Sequence, residues 1–161
     1  MSKKKHEGKT GNGFSMREEL IELIIERLER DLGPIRAEFT SERPVKTKYC
    51  AIDDLLPADI AQRISDAFPD SGQMRLLDSF REKKYTSKSL DQFDPLIADI
   101  TFAFQDKRVI DKVAALTGIK DAVGDPHLYA GGISAMERGH FLNPHLDNSH
   151  DGEQTNYRVL N

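Results

Sequence analysis

Leu20, Ile21, Leu23, Ile24, Ile25, Leu28 and Leu32 recur at helical spacing, and Glu22, Glu26, Arg27, Glu29 and Arg30 take most of the positions between them. That period predicts an amphipathic helix. Ser15-Met16-Arg17-Glu18 reads as a capping box, with Ser15 at the N-cap and Glu18 reaching back, and Gly33-Pro34 predicts a clean end. The apolar stripe of such a helix has to be covered, either by the chain's own sheet or by a second subunit.

Further along, residues 45–52 alternate as a strand would, with Val45, Thr47, Tyr49 and Ala51 on one side and Lys46, Lys48 and Cys50 on the other. Asp53-Asp54-Leu55-Leu56-Pro57 turns into a helix whose buried side is Ile60, Ile64, Ala67 and Phe68. Residues 74–80 predict another strand. Residues 81–92 are charged and irregular, and predict an exposed loop. Asp94-Pro95 opens a helix with Ile97, Ile100, Phe102, Ala103 and Phe104 as core candidates, and a further helix spans residues 107–116 up to Gly118. From His127 the texture is strand and turn: residues 128–130, residues 133–136, a hairpin turn at Glu137-Arg138-Gly139, a strand over 140–147, and a strand-like run at 157–160. Helices followed by strands predict an α+β domain, with helices packed on one face of a sheet.

At 161 residues, 38% hydrophobic and 31% charged, the chain suits one domain with a single core. No apolar run is long enough to span a bilayer, and the N-terminal lysines precede no apolar stretch of a secretory signal. The lone Cys50 permits no internal disulfide, so a reducing cytoplasm is the simplest home. Residues 1–14 lack any apolar period and are expected to be a disordered basic tail. Residues 1–9 hold four lysines and one glutamate, a sum of +3, which leaves −7 for residues 10–161 within the overall −4. So acidic a body does not favour nucleic acid as a partner.

The candidate chemistry lies in His140-Phe141-Leu142-Asn143-Pro144-His145-Leu146-Asp147. On a strand, residues i and i+2 project to one face, so His145 and Asp147 would aim an imidazole and a carboxylate at a common point. That pair is two-thirds of a 2-His-1-carboxylate triad, which binds Fe(II) and leaves positions open for oxygen and a co-substrate. Alone it is a weak signal, since 5 His and 16 Asp in 161 residues supply about half an instance by chance. Its place at the end of a predicted strand, ahead of the wholly polar 148–153, adds weight.

Four spaced segments carry more specificity: Leu116-Thr117-Gly118-Ile119; Leu128-Tyr129-Ala130-Gly131-Gly132-Ile133-Ser134; Gly139-x-Phe141-Leu142-x-x-His145-x-Asp147-Asn148; and Arg158-Val159-Leu160-Asn161. Together with Ala51-Ile52-Asp53-Asp54-Leu55-Leu56-Pro57 they resemble the Fe(II)- and 2-oxoglutarate-dependent oxygenases, in their prolyl-4-hydroxylase-like branch, over most of residues 45–161. The resemblance implies helices packed on a double-stranded β-helix, or jelly roll. It makes His145 and Asp147 the first two iron ligands, with 2-oxoglutarate as co-substrate and ascorbate as accessory reductant. The substrate would be a prolyl or amino-acid residue of a peptide, or a small molecule. The family's second histidine and its 2-oxoglutarate-binding Arg or Lys lie further on than Asn161, so residues 15–161 are expected to be the N-terminal portion of such a domain, with a missing C-terminal half or a second copy as its partner.

Asn148 and Arg158 fall near the expected pocket as weak cofactor-binding candidates. His140 reads as a half-buried strand residue, His150 as loop, His127 as a turn residue, and Tyr129 and Met136 as core. Gly131-Gly132 lacks the context of a phosphate loop, and Cys50 reads as a buried thiol. The alternative to an oxygenase is a non-catalytic remnant that associates through the amphipathic helix over residues 16–32. With two ligands only, the 161-residue chain is expected to be inactive by itself; a steady-state assay of succinate release should detect none, and robust turnover would contradict this.

Overall fold

The Ser15 hydroxyl accepts a hydrogen bond from the Glu18 N–H at 3.3 Å and starts α1 (Met16–Arg30). The computed structural model describes residues 15–87, 89–128, 132–147 and 149–159, so the basic tail, Tyr129 and Asn148 lie outside the described residues. Glu18 does not complete the capping box. Its carboxylate is held instead by Arg108, at 2.6 and 2.9 Å. Nor does the helical path stop at Gly33-Pro34. It breaks at Asp31, which Arg27 holds at 2.6 Å, and restarts as α2 (Leu32–Thr40). Gly33 and Pro34 fall in the first turn of α2, where a missing N–H costs nothing.

The stripe on α1 is covered within the chain. Leu20, Ile21, Ile24 and Leu28 are all buried, packed with Ile35 and Phe39 of α2 and Ile60 of α3 (Ala58–Ala67). Ala103 of α4 (Pro95–Ala103) and Val109 and Leu116 of α5 (Lys107–Thr117) complete this core. Asp94 and Asp106 cap α4 and α5, each accepting a backbone N–H at 2.9 Å, and Gly118 ends α5 in the left-handed region at φ 77°. Arg108 also reaches Glu22 at 3.0 Å and Asp106 at 2.9 Å, which ties the start of α5 to α1. Phe68 and Phe104, expected in the core, are 36% and 42% exposed. Both lie at the C-terminal cap positions of their helices, α3 and α4, where the chain turns away.

Residues 45–52 form no strand, because no neighbouring segment offers them a ladder. Cys50 and Ile52 pack partly against the helical core, while Tyr49 lies under the Arg43 guanidinium at 3.8 Å. The sheet is built instead around the charged stretch expected to be a loop. β1 (Arg75–Asp78) and β2 (Glu82–Ser87) make an antiparallel hairpin, and β3 (Ile133–Ala135) and β4 (Phe141–Leu142) pair antiparallel along the other edge of β2. Charge does not keep β2 out of the sheet, since Lys83 pairs with Asp78 at 2.9 Å and Lys84 with Glu82 at 2.7 Å. The heads stay near water while the stems lie along the sheet.

β3 and β4 do not form the predicted hairpin with each other. Tyr85 faces Ala135 and Lys83 faces Phe141, so the five residues between stand opposite Lys84 alone. Residues 136–140 therefore bulge out of one ribbon, and Glu137-Arg138-Gly139 turns within them as expected, with the His140 N–H on Glu137 O at 2.9 Å and Gly139 at φ 87°. Met136 sits in this bulge and is 51% exposed, not core.

The result is a mixed helix and antiparallel-sheet domain, in which the hairpin β1–β2 is inserted between α3 and α4. The sheet meets the helices through Ile133, packed with Leu90, Ile97 and Leu128. Among the described residues no helix is long and apolar enough to cross a membrane. Leu20→Ala should lower the unfolding free energy by about 2–5 kcal/mol in urea titrations, because Leu20 is wholly buried. Leu146→Ala, at a side chain 95% exposed, should leave the midpoint unchanged.

Candidate metal centre

β4 is only two residues long, so His145 and Asp147 lie past the strand, not on it. The ladder runs out because the β1–β2 hairpin turns away at Phe80-Arg81 and because Pro144 has no N–H to donate. One residue still bridges the gap. Asn143 donates its backbone N–H to the Arg81 carbonyl at 2.9 Å and its Nδ2 to the Phe80 carbonyl at 2.8 Å. Its own carbonyl stands 2.8 Å from His145 Nδ1.

A carbonyl oxygen only accepts, so Nδ1 of His145 carries a proton and donates it to Asn143. In the neutral ring Nε2 is then a bare lone pair. That Nε2 faces Asp147 Oδ1 at 3.2 Å. An imidazole lone pair and a carboxylate oxygen at this separation require a cation between or beside them, either a proton on Nε2 or a metal ion. Two donor atoms each about 2.1 Å from a metal and at right angles stand roughly 3.0 Å apart, close to the observed spacing. Both side chains are about one-third exposed, at 34% and 38%, so solvent has access to the pair.

The other carboxylate oxygen, Asp147 Oδ2, is 3.1 Å from Arg158 Nη1. Arg158 arrives there through a small antiparallel loop and not the predicted strand. Ser149 O accepts from the Arg158 N–H at 2.9 Å, His150 bridges Tyr157, and Asp151 O and N sit inside the turn, with Asp151 N–H donating to Asn156 O at 3.0 Å. The Asp151 carboxylate accepts from Asn156 Nδ2 at 2.7 Å, Thr155 N at 2.8 Å and Thr155 Oγ1 at 2.9 Å. The Asn156 amide first, with Thr155 behind it, holds the Asp151 carboxyl well below the usual carboxylate range.

Around the pair lies an open cleft of about 510 Å³, lined by Phe80, Arg81, Glu82, Leu142, Pro144, Leu146 and Arg158 beside the residues already named. Lys84 hydrogen-bonds Glu82 and holds its carboxyl below its ordinary value, with smaller pulls from His145 and Arg81. Among the described residues no group of three or more His, Cys, Asp and Glu side chains is placed to hold a metal ion. The other histidines among the described residues lie elsewhere. His150 lies against the Tyr157 ring at 4.3 Å with Nδ1 at 2.8 Å from Ser149 Oγ, and His140 is half-buried against Tyr85 at 5.2 Å. His127 sits in a turn, its N–H on Asp125 Oδ1 at 3.2 Å. Burial pushes the Cys50 thiol up, away from the thiolate a nucleophile needs.

The structure thus brings together His145, Asp147 and Arg158, and adds Phe80, Arg81, Glu82 and Asn143, which the sequence pattern did not single out. The strand-forming Tyr85-Thr86 after Ser79 was the available signal for that hairpin. No family model matches the chain, and no curated protein or solved structure matches it.

The carboxyl of Asp151 has a folded pKa below its ordinary value of 3.8, so it adds stability that is complete above that value and is lost as pH falls through the folded pKa. Amide protection factors at residues 151–157, corrected for intrinsic exchange, should therefore hold steady down to pH 5 and fall as the pH drops below about 4, ahead of those in α1. Asp151→Asn should remove that pH dependence; an unchanged profile in the variant would contradict the assignment.

Proposed function

We propose that the cleft is the metal centre of an Fe(II)- and 2-oxoglutarate-dependent dioxygenase, acting on a prolyl or other amino-acid group or on a small molecule. The observation that carries this reading is the convergence of His145 Nε2 and Asp147 Oδ1 at 3.2 Å with the far ring nitrogen already committed to Asn143. A ligand histidine characteristically has its second nitrogen held in this way, which fixes the tautomer and aims the lone pair at the metal. The sheet would be one wall of a jelly roll, with the helices behind it.

In this reading His145 and Asp147 hold the ion, and Asp147 lowers its net charge. Ferrous iron with 2-oxoglutarate and oxygen supplies the oxidising power for hydroxylation of an unactivated C–H bond. Asn143 fixes the plane of the His145 ring. Arg158 takes the second carboxylate oxygen of Asp147 and so orients the first toward His145, a supporting role in place of direct 2-oxoglutarate binding. The exposed apolar residues Phe80, Leu142 and Leu146 provide the walls against which a substrate would rest. The alternative of a module that docks through its first helix has less to rest on, because the stripe of α1 is buried inside the chain.

Equilibrium titration with Mn(II), a redox-stable stand-in for Fe(II), tests the reading. Saturable binding is expected, weakened about 10- to 100-fold or more in His145→Ala and in Asp147→Ala. Equal binding by wild type and both variants would overturn it.

A further inference from the structure

We propose that Arg81 is the anchor for an anionic group, a carboxylate or phosphate, on a small-molecule ligand of the cleft. The proposal rests on the reading of the cleft as a substrate site. Four ionised side chains besides His145 line it: Arg81, Arg158, Glu82 and Asp147. Three of them are already matched. Asp147 pairs with Arg158 at 3.1 Å, and Glu82 with Lys84 at 2.7 Å. Arg81 makes no ion pair within 4 Å among the described residues and adds only a minor pull on the Glu82 carboxyl, which Lys84 already holds, so its guanidinium donors are open to a ligand.

The backbone that carries it is held in place. Arg81 sits at the tip of the β1–β2 hairpin, and that tip is tied down by the two Asn143 hydrogen bonds to Phe80 O and Arg81 O. The same Asn143 holds the His145 ring through its carbonyl. Anchor and candidate metal ligand are therefore referenced to one residue. The guanidinium presents a planar set of donors suited to bidentate capture of a carboxylate or phosphate. Phe80 and Leu146, 86% and 95% exposed, line the same cleft with apolar surface for the remainder of the ligand. A volume of about 510 Å³ matches a small molecule more closely than a folded partner.

The test uses the full 161-residue chain without metal, titrated with succinate and, separately, with inorganic phosphate, and followed by amide NMR. One of the two probes should shift residues 80–82 and 143–147, and the identity of that probe names the anionic group. Arg81→Gln should weaken its binding about tenfold, and Arg81→Lys should recover part of the loss. Arg75→Gln, at the far end of the same hairpin, should bind as wild type. Failure of both probes to bind, wild-type affinity in Arg81→Gln, or an equal loss in Arg75→Gln would overturn the proposal. Mn(II) titration of Arg81→Gln separates the two ideas: unchanged metal affinity with lost anion binding locates the effect at Arg81, whereas a wild-type chain that binds succinate or phosphate but no Mn(II) sinks the metal centre alone.

Discussion

The cleft depends on three hydrogen bonds of Asn143, two donated and one accepted. Its backbone and side-chain nitrogens hold the β1–β2 tip, and its carbonyl holds His145 Nδ1. The sheet ends at this point, since Pro144 cannot donate and β2 has turned away into the hairpin. Without a ladder the two candidate ligands would sit on unsupported chain. Asn143 replaces the missing ladder, and it does so with groups that also select the imidazole tautomer. Backbone geometry and site chemistry thus meet at one residue, and a side chain that cannot donate at position 143 would loosen the hairpin tip.

The rest of the molecule serves to hold β2 in place. Buried leucine and isoleucine side chains of α1 pack against α2, α3, α4 and α5 and form a helical core that needs no help from the sheet. A smaller cluster of Leu90, Ile97 and Leu128 then takes Ile133 of β3 and attaches the sheet to that core. The strands themselves contribute no fully buried side chain within β1 to β4. The sheet is held by backbone pairing and by ion pairs along β2, which suits a surface that must leave one side open to solvent and ligand.

The helices were legible in the sequence because their signals are local: the 3.6-residue period of α1, the Asp-Pro and Asp caps of α4 and α5, the stop at Gly118. The strands were harder, for a physical reason. β2 reads as a solvated loop by composition, and becomes a strand only because Asp78 and Glu82 neutralise its lysines and three other strands satisfy its backbone. Residues 45–52 show the converse, a good alternation with no partner. The Gly139 turn looks like a hairpin between β3 and β4 until both strands are seen to pair with β2. At the site, His145 and Asp147 were visible as a spaced pair and Arg158 as a neighbour, whereas Arg81 and Asn143 enter through contacts 62 residues apart in the chain, which no local pattern records.

A metal centre here requires that His145 offer a bare Nε2 to a cation shared with Asp147. Two-dimensional ¹H–¹⁵N NMR of the imidazole nitrogens reads this most directly. At a pH where the ring is neutral, Nδ1 of His145 should be protonated and Nε2 unprotonated, with added Zn(II) shifting the Nε2 resonance. A neutral His145 protonated on Nε2, or an Nε2 resonance indifferent to Zn(II), would contradict it.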